Sequence, residues 1–309
     1  MFKTPFFPSH ALISPTFLLN RGWCIFIDTR YKLGECPTYD SRDNSLVWTD
    51  ILGETVQRIN YDEPNQVTTH KTPCSVGCIG LTETPGVYIA GTKQGVALLD
   101  FRPGQQQQFK MVHSFDSLNL DADIRANDGT VSPDGRFWIS TMAEDVDQKV
   151  APRGRLFVYD GQTIEEVSGY DVHIPNGMGW LEGTVSGPFV FTDSANHRLL
   201  KDKKPFIEIE NIEGCSMHPE PDGLTLSEDG DIWTAQFGAS RVRRYSPEGI
   251  LKDEIKFPAA CITCPTFAGK DYNELIATSF NDDKGEGGKV FRVKLEGVKG
   301  VPKYVFKSA

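Results

Sequence analysis

An all-β six-bladed β-propeller, with four-stranded antiparallel blades around a central channel, is the fold class that three features of the sequence predict. One short motif recurs six times, a second strand-like run follows each copy, and nothing between them has the length and period of a helix. The motif is a turn with Asp, Asn, Gly or Pro, then alternating apolar residues, then a small or polar residue. It occurs as NSLVWTD around Trp48, PGVYIAG around Ile89, DGRFWIS around Trp138, GPFVFTD around Phe191, DGDIWTA around Trp233 and NELIATS around Ile276. The centres are 41, 49, 53, 42 and 43 residues apart. The runs that follow are VQRINYD, GVALLDF, GRLFVYD, HRLLKDK, SRVRRYS and GKVFRVK. Turn, strand, turn, strand with a period of about 40 to 50 residues is the pattern of a propeller blade.

Six such periods use nearly all the chain from Arg30 onward, so residues 21–309 are read as one propeller domain and residues 1–20 as an N-terminal extension without an assigned role. The apolar runs Cys24 to Ile27 and Tyr304 to Phe306 fall outside the regular units. One chain end is therefore expected to complete the last blade and close the ring, which removes an exposed sheet edge.

Composition narrows the partners. With 39% hydrophobic and 24% charged residues the chain is globular, and its formal charge of -10 argues against a nucleic-acid backbone, whose binding surfaces are basic. No apolar run reaches the roughly 18 residues that span a bilayer, so no membrane partner is expected. The segment Ala11 to Leu19 is broken by Pro15, and no small-x-small cleavage pattern follows it. Seven cysteines, an odd number in a long chain, suit reduced thiols in a cytoplasmic compartment. Cys261-x-x-Cys264 lacks a second Cys or His pair at zinc-site spacing and reads as two core residues. His173, His197 and His218 read as structural in the same way. A monomer or weak dimer is expected.

The innermost strand of each blade lines the channel, so residues at the head of each unit converge on one place. They are Glu35, Cys78, Asn127, Asn176, Asp222 and Thr266. This set is mostly oxygen donors, which suits a hard divalent cation better than a dedicated zinc site. Gly34-Glu35, Asn127-Asp128-Gly129, Pro175-Asn176-Gly177 and Pro221-Asp222-Gly223 are each read singly as turns. The blade turns, however, occur later in the same repeats, as Pro133-Asp134-Gly135 and Glu228-Asp229-Gly230, which leaves the earlier pairs spare.

The stretches GECPTYD, RANDGTVSPDGRFWISTMAE, IPNGMGW and PDGLTLSEDGDIW, spread from about Leu33 to Val301, resemble the regucalcin, gluconolactonase and luciferin-regenerating enzyme family of six-bladed propellers. By that resemblance Glu35, Asn176 and Asp222 match metal ligands. Arg125 and Asn127 match substrate contacts, as does Asp145, and Asp222 is also the candidate general base. The cofactor implied is one divalent cation, calcium first, with zinc, manganese, magnesium or iron as alternatives. The activity implied is opening of a small sugar lactone, an aldonolactone such as glucono-, rhamnono- or arabinono-lactone, to its acid. The sequence departs from the family at Cys36, where Gly-Glu-Gly-Pro is usual, and at Asp145, where Glu is usual; both bear on the substrate. A calcium-binding regulatory or interaction propeller, and a hydrolase of the phosphotriesterase or arylesterase kind, are the competing readings.

Overall fold

The computed structural model describes residues 22–105, 108–145, 151–167, 172–183, 189–202, 204–215 and 217–307. Residues 1–20, read above as an extension, lie outside this set. Six sheets, each opening on its innermost strand, make the six blades of a β-propeller. The inner strands are Gly34–Asp40, Val76–Thr82, Ile124–Val131, Pro175–Trp180, Glu220–Leu226 and Ile262–Ala268. Each touches the next, and the sixth touches the first, so the ring closes.

Every recurring motif forms the second strand of a blade, and every following run forms the third. Alternation sends successive side chains to opposite faces of the sheet, where each packs against a neighbouring blade. Apolar clusters accordingly fill the seams. Val47, Ile79 and Phe137 join the first three blades. Leu156 and Phe191 join the third and fourth, Leu199 and Ile232 the fourth and fifth, Trp233 and Leu275 the fifth and sixth, and Trp48 and Ile276 the sixth and first. Trp48 and Trp233 are fully buried, each contributing about 3 kcal/mol by the area it removes from water.

Closure follows the expectation for the first terminal run. Trp23–Ile27 is the outermost strand of the sixth blade, antiparallel to Val290–Lys294. The second terminal run does something else. Val305–Phe306 adds to the inner side of the second blade, parallel to Leu81 and Thr82, and makes that sheet five-stranded rather than four-stranded.

All six inner strands carry a β-bulge near their beginning: after Glu35, Val76, Ala126, Asn176, Pro221 and Ile262. A bulge inserts an extra residue that re-aims the chain. This explains the spare Asn and Asp-Gly pairs, which sit in bulges rather than turns. It also corrects two of the aligned positions. Cys78 is back in the regular ladder opposite Gly91, and Thr266 is opposite Ile276, so the bulge residues in those blades are Gly77 and Thr263 with Cys264.

Glycine recurs at the bulges because adjacent inner strands nearly touch there. A Cβ at Gly177 would lie 2.5 Å from the backbone nitrogen of Leu224, and one at Gly223 would lie 2.4 Å from Cys264 Sγ. Cys36 is the exception. It holds a left-handed backbone with φ 47°, unusual for a residue with a side chain, and its Sγ accepts from the Ile79 N–H at 3.2 Å. The thiol thus fills the space beside the first blade's bulge and ties that blade to the second.

Candidate active site on the propeller axis

The bulges turn a ring of carboxylates toward the axis and hold each one in the same way. Cys36 N–H donates to Glu35 Oε2 at 3.0 Å, Gly129 N–H donates to Asp128 Oδ1 at 2.6 Å, and Gly223 N–H donates to the Asp222 carboxylate. Glu35 belongs to the first blade, Asp128 to the third and Asp222 to the fifth, so the three acids converge from alternate blades. Asn176, from the fourth, donates its amide to Ser194 Oγ at 3.2 Å, leaving its amide oxygen for another partner.

A polar residue near the end of four of the motifs secures this frame. Thr49 donates to the Glu35 carbonyl, Ser140 to the carbonyls of Asp128 and Pro175, Thr192 to that of Asp222, and Thr278 to that of Cys264. Ser140 and Thr192 reach across to the next blade, and Thr263 closes the circle by donating to the Gly34 carbonyl at 2.6 Å. Thr192→Val keeps the shape and removes one of these ties, leaving the buried Asp222 carbonyl without it. A stability loss of about 1–3 kcal/mol in urea titration is the expected result.

Glu35, Asp128, Asn176 and Asp222 are each 6–7% exposed, so the acids are almost wholly out of water. Burial first, and then the Asp128 charge, push Glu35 up to about 8; the Cys36 N–H and Arg125 oppose this. Asp222 is raised well above the carboxylate range by burial, then by the charges of Glu35, Asp128 and Glu220. Its Oδ1 is buried without a hydrogen-bond partner. A buried carboxylate oxygen left unpaired among other acids has the chemistry of a cation ligand. Among the described residues no three His, Cys, Asp or Glu side chains are grouped to share an ion. A cation held by Glu35 and Asp222 would need a third protein donor, and the Asn176 amide oxygen could serve as one.

Arg125 is the cation beside these acids. It is buried, its charge favoured by Glu35, Glu144 and Asp222 in that order, although burial lowers its value overall. Its Nη1 donates at 2.9 Å to both the Ala126 carbonyl and Asn127 Oδ1, while Asn127 Nδ2 donates to the Pro175 carbonyl at 3.2 Å. Asn127 thus orients Arg125. Asp123, the obvious sequence neighbour for a structural pair with Arg125, instead binds Arg153 at 2.6 Å. Asp145 is exposed, outside the buried ring, whereas the adjacent Glu144 is the acid whose charge reaches Arg125 and which pairs with Lys93 at 2.8 Å.

The sequence reading missed Asp128, because Asn-Asp-Gly was absorbed into turn chemistry. The signal that would have found it is the same one that singled out its neighbour: a polar pair early in a repeat that already has its turn. Two of the three histidines singled out in the sequence are engaged structurally. His197 Nδ1 donates to the Pro219 carbonyl at 3.0 Å, His218 Nε2 donates to the Ile209 carbonyl at 2.8 Å, and the two rings stack 3.9 Å apart. All seven cysteines are free. A cavity of about 680 Å³ lies at the other end of the channel, against Trp180, Leu226, Pro302 and Tyr304, and none of the axial acids lines it.

Fold and site together define a six-bladed propeller with an acidic, oxygen-donor centre on its axis and one buried arginine beside it. Residues 33–281 match the family described as SMP-30/Gluconolactonase/LRE-like region, and the chain belongs to that family. It is 31% identical to 6-deoxy-6-sulfogluconolactonase of Pseudomonas putida over 82% of this chain and 84% of that one. It is 29% identical to regucalcin of Danio rerio, over 91% and 96% of the two chains. Among solved structures, a calcium-binding protein, regucalcin, from Agrobacterium tumefaciens shares the fold with a TM-score of 0.78, at 24% identity over 92% of this chain and 96% of that one.

Proposed function

We propose that the protein is a divalent-metal-dependent lactonase that opens a small sugar lactone to its acid, with calcium as the first candidate metal. The observation that carries this reading is the unpaired, buried Oδ1 of Asp222 set among Glu35 and Asp128, with Arg125 beside them. Relatives named as lactonases support the same reaction class.

A divalent cation held by Glu35, Asn176 and Asp222 would polarise the lactone carbonyl and stabilise the negative charge that develops on it. The chain's own residues do the rest. Asp222, ionised once the cation is bound, accepts the proton of an attacking water. Arg125 offers a planar fork of donors to the sugar hydroxyls or ring oxygen, held in place by Asn127. Asp145, exposed at the end of the third blade's second strand, contacts the distal part of the substrate and, one methylene shorter than Glu, contributes to selectivity there. Glu35, Asp222 and Arg125 are buried away from bulk water, which strengthens each of these interactions.

The test is acid release, followed by pH-stat, from a panel of aldonolactones by metal-stripped protein, with calcium, zinc, manganese, magnesium or iron restored singly. Turnover that appears only on adding a metal is expected. Absence of turnover with every metal and lactone would favour a regulatory calcium-binding propeller instead.

A further inference from the structure

The C-terminal segment is more than the end of the last blade. After the third strand of the sixth blade the chain crosses beneath the channel, at the ends of the inner strands opposite to the axial acids. Glu228 N–H donates to the Lys299 carbonyl at 2.8 Å, Gly300 pairs with Ser227, and Val301 N–H donates to the Leu226 carbonyl at 3.1 Å, all on the fifth blade. Val305–Phe306 then joins the second blade, and Lys307 N–H donates to the Gly135 carbonyl of the third at 2.9 Å. The strap is thus pinned on both sides of the axis, with Lys303 in its middle.

Lys303 is half-buried on the inner side of the strap. It lines a tight internal space with Cys36, Ile79, Gly129 and Val131, and Cys36 and Gly129 are the residues whose N–H groups hold Glu35 and Asp128. Its charge is felt by Asp128 on the third blade, Cys36 on the first and Cys264 on the sixth. Only a group close to the axis faces three blades at once. Two cations therefore lie near the axial acids, Arg125 on the third blade and the half-buried Lys303 on the strap.

We propose that Lys303 is a positioning residue of the axial site, a built-in counter-ion that the C-terminal strap inserts beneath the buried carboxylates and that holds their arrangement in the metal-free protein. The part concerning metal affinity rests on the lactonase reading above, because it takes the same acids as cation ligands. In the metal-free protein the ammonium favours the ionised form of Asp128, the axial acid that its charge reaches. Once a divalent cation binds Glu35 and Asp222, the ammonium opposes it, since like charges repel across a low-dielectric interior.

The experiment compares wild type with Lys303→Met, which keeps the length and removes the charge, and with Lys303→Arg, which keeps the charge. Lys307→Met, an exposed lysine on the same strap, is the control, and Lys303→Gln replaces the Met variant should that one not fold. Metal-free Lys303→Met is expected to melt several degrees below wild type, with Lys303→Arg and Lys307→Met close to it. In calcium titrations by calorimetry at pH 9, where proton competition is small, Lys303→Met is expected to bind about three- to tenfold more tightly than wild type. Metal-free melting of the Met variant equal to wild type, or Arg no better than Met, would overturn the proposal. So would unchanged or weaker calcium affinity in a wild type that binds calcium. A wild type that binds no divalent metal sinks the lactonase reading alone, and the metal-free melting comparison then still decides the role of Lys303.

Discussion

Asp222→Asn is expected to cut kcat/KM for lactone opening by about a thousandfold or more while making the metal-free protein more stable. Loss of a general base alone costs about 100- to 10,000-fold, and in the proposed site this substitution would also weaken a metal ligand, so the combined loss is expected at or beyond the upper part of that range. The gain in stability comes from the same cause as the loss of function. Asp222 is raised by burial and by Glu35, Asp128 and Glu220, which means that the folded protein resists its ionised form. Replacing it by a neutral amide of the same shape removes one member of a repelling cluster, a change expected to stabilise by about 1–2 kcal/mol. Steady-state kinetics and thermal melts on metal-stripped samples check both halves. Near-normal turnover in the Asn variant, or in Asp222→Ala, would exclude Asp222 as the base.

The opposed signs matter because they separate a catalytic acid from a structural one. A carboxylate retained for stability loses stability when neutralised, as Glu254 would, since its burial is outweighed by Arg241 at 2.8 Å and by Arg243, which hold it below the usual carboxylate range. Asp222 has no such cation bonded to it, and its unpaired Oδ1 has no stabilising purpose in the protein alone.

The blades were legible because alternation and turn residues repeat with each blade, and both depend on local chemistry that the sequence displays directly. Register at the axis was harder to read. Counting back from Trp48 or Trp233 lands on Glu35 and Asp222, but counting back from Ile89 and Ile276 lands on Cys78 and Thr266, beyond the bulge. A bulge adds a residue without leaving a fixed mark, so its place is set by how closely neighbouring strands approach, a tertiary fact. Asp128 stayed hidden for a related reason: Asn-Asp-Gly satisfies the local rules for a turn, and only the Gly129 N–H shows that it bends a strand instead. The strap was illegible altogether, because Val305 and Phe306 pair with residues more than two hundred positions earlier. Two residues carry no periodicity from which such a pairing could be inferred.

The metal-free protein is expected to lose stability as pH rises from about 4.5 to about 8, and a saturating divalent cation is expected to abolish most of that loss. Glu35 moves from the ordinary 4.5 to about 8 on folding, so between these values the folded chain holds a proton that the unfolded chain has released. Stability then falls with rising pH across that window and levels off above it, because linkage favours whichever state binds more protons only while protons are available. Asp222 is displaced in the same direction and adds to the slope. A cation bound between them replaces the missing protons. It favours the ionised forms that burial disfavours, and it stabilises the fold by RT ln(1 + [L]/Kd), about 2.7 kcal/mol at a hundredfold excess over Kd. Urea titrations from pH 5 to 9, with EDTA and with calcium, measure both curves. Glu35→Gln carries the argument one step further: without an ionisable group at that position, the metal-free slope shrinks and the rescue by calcium weakens together. If only one of the two changed, the group that resists ionisation and the group that binds the cation would have to be different residues.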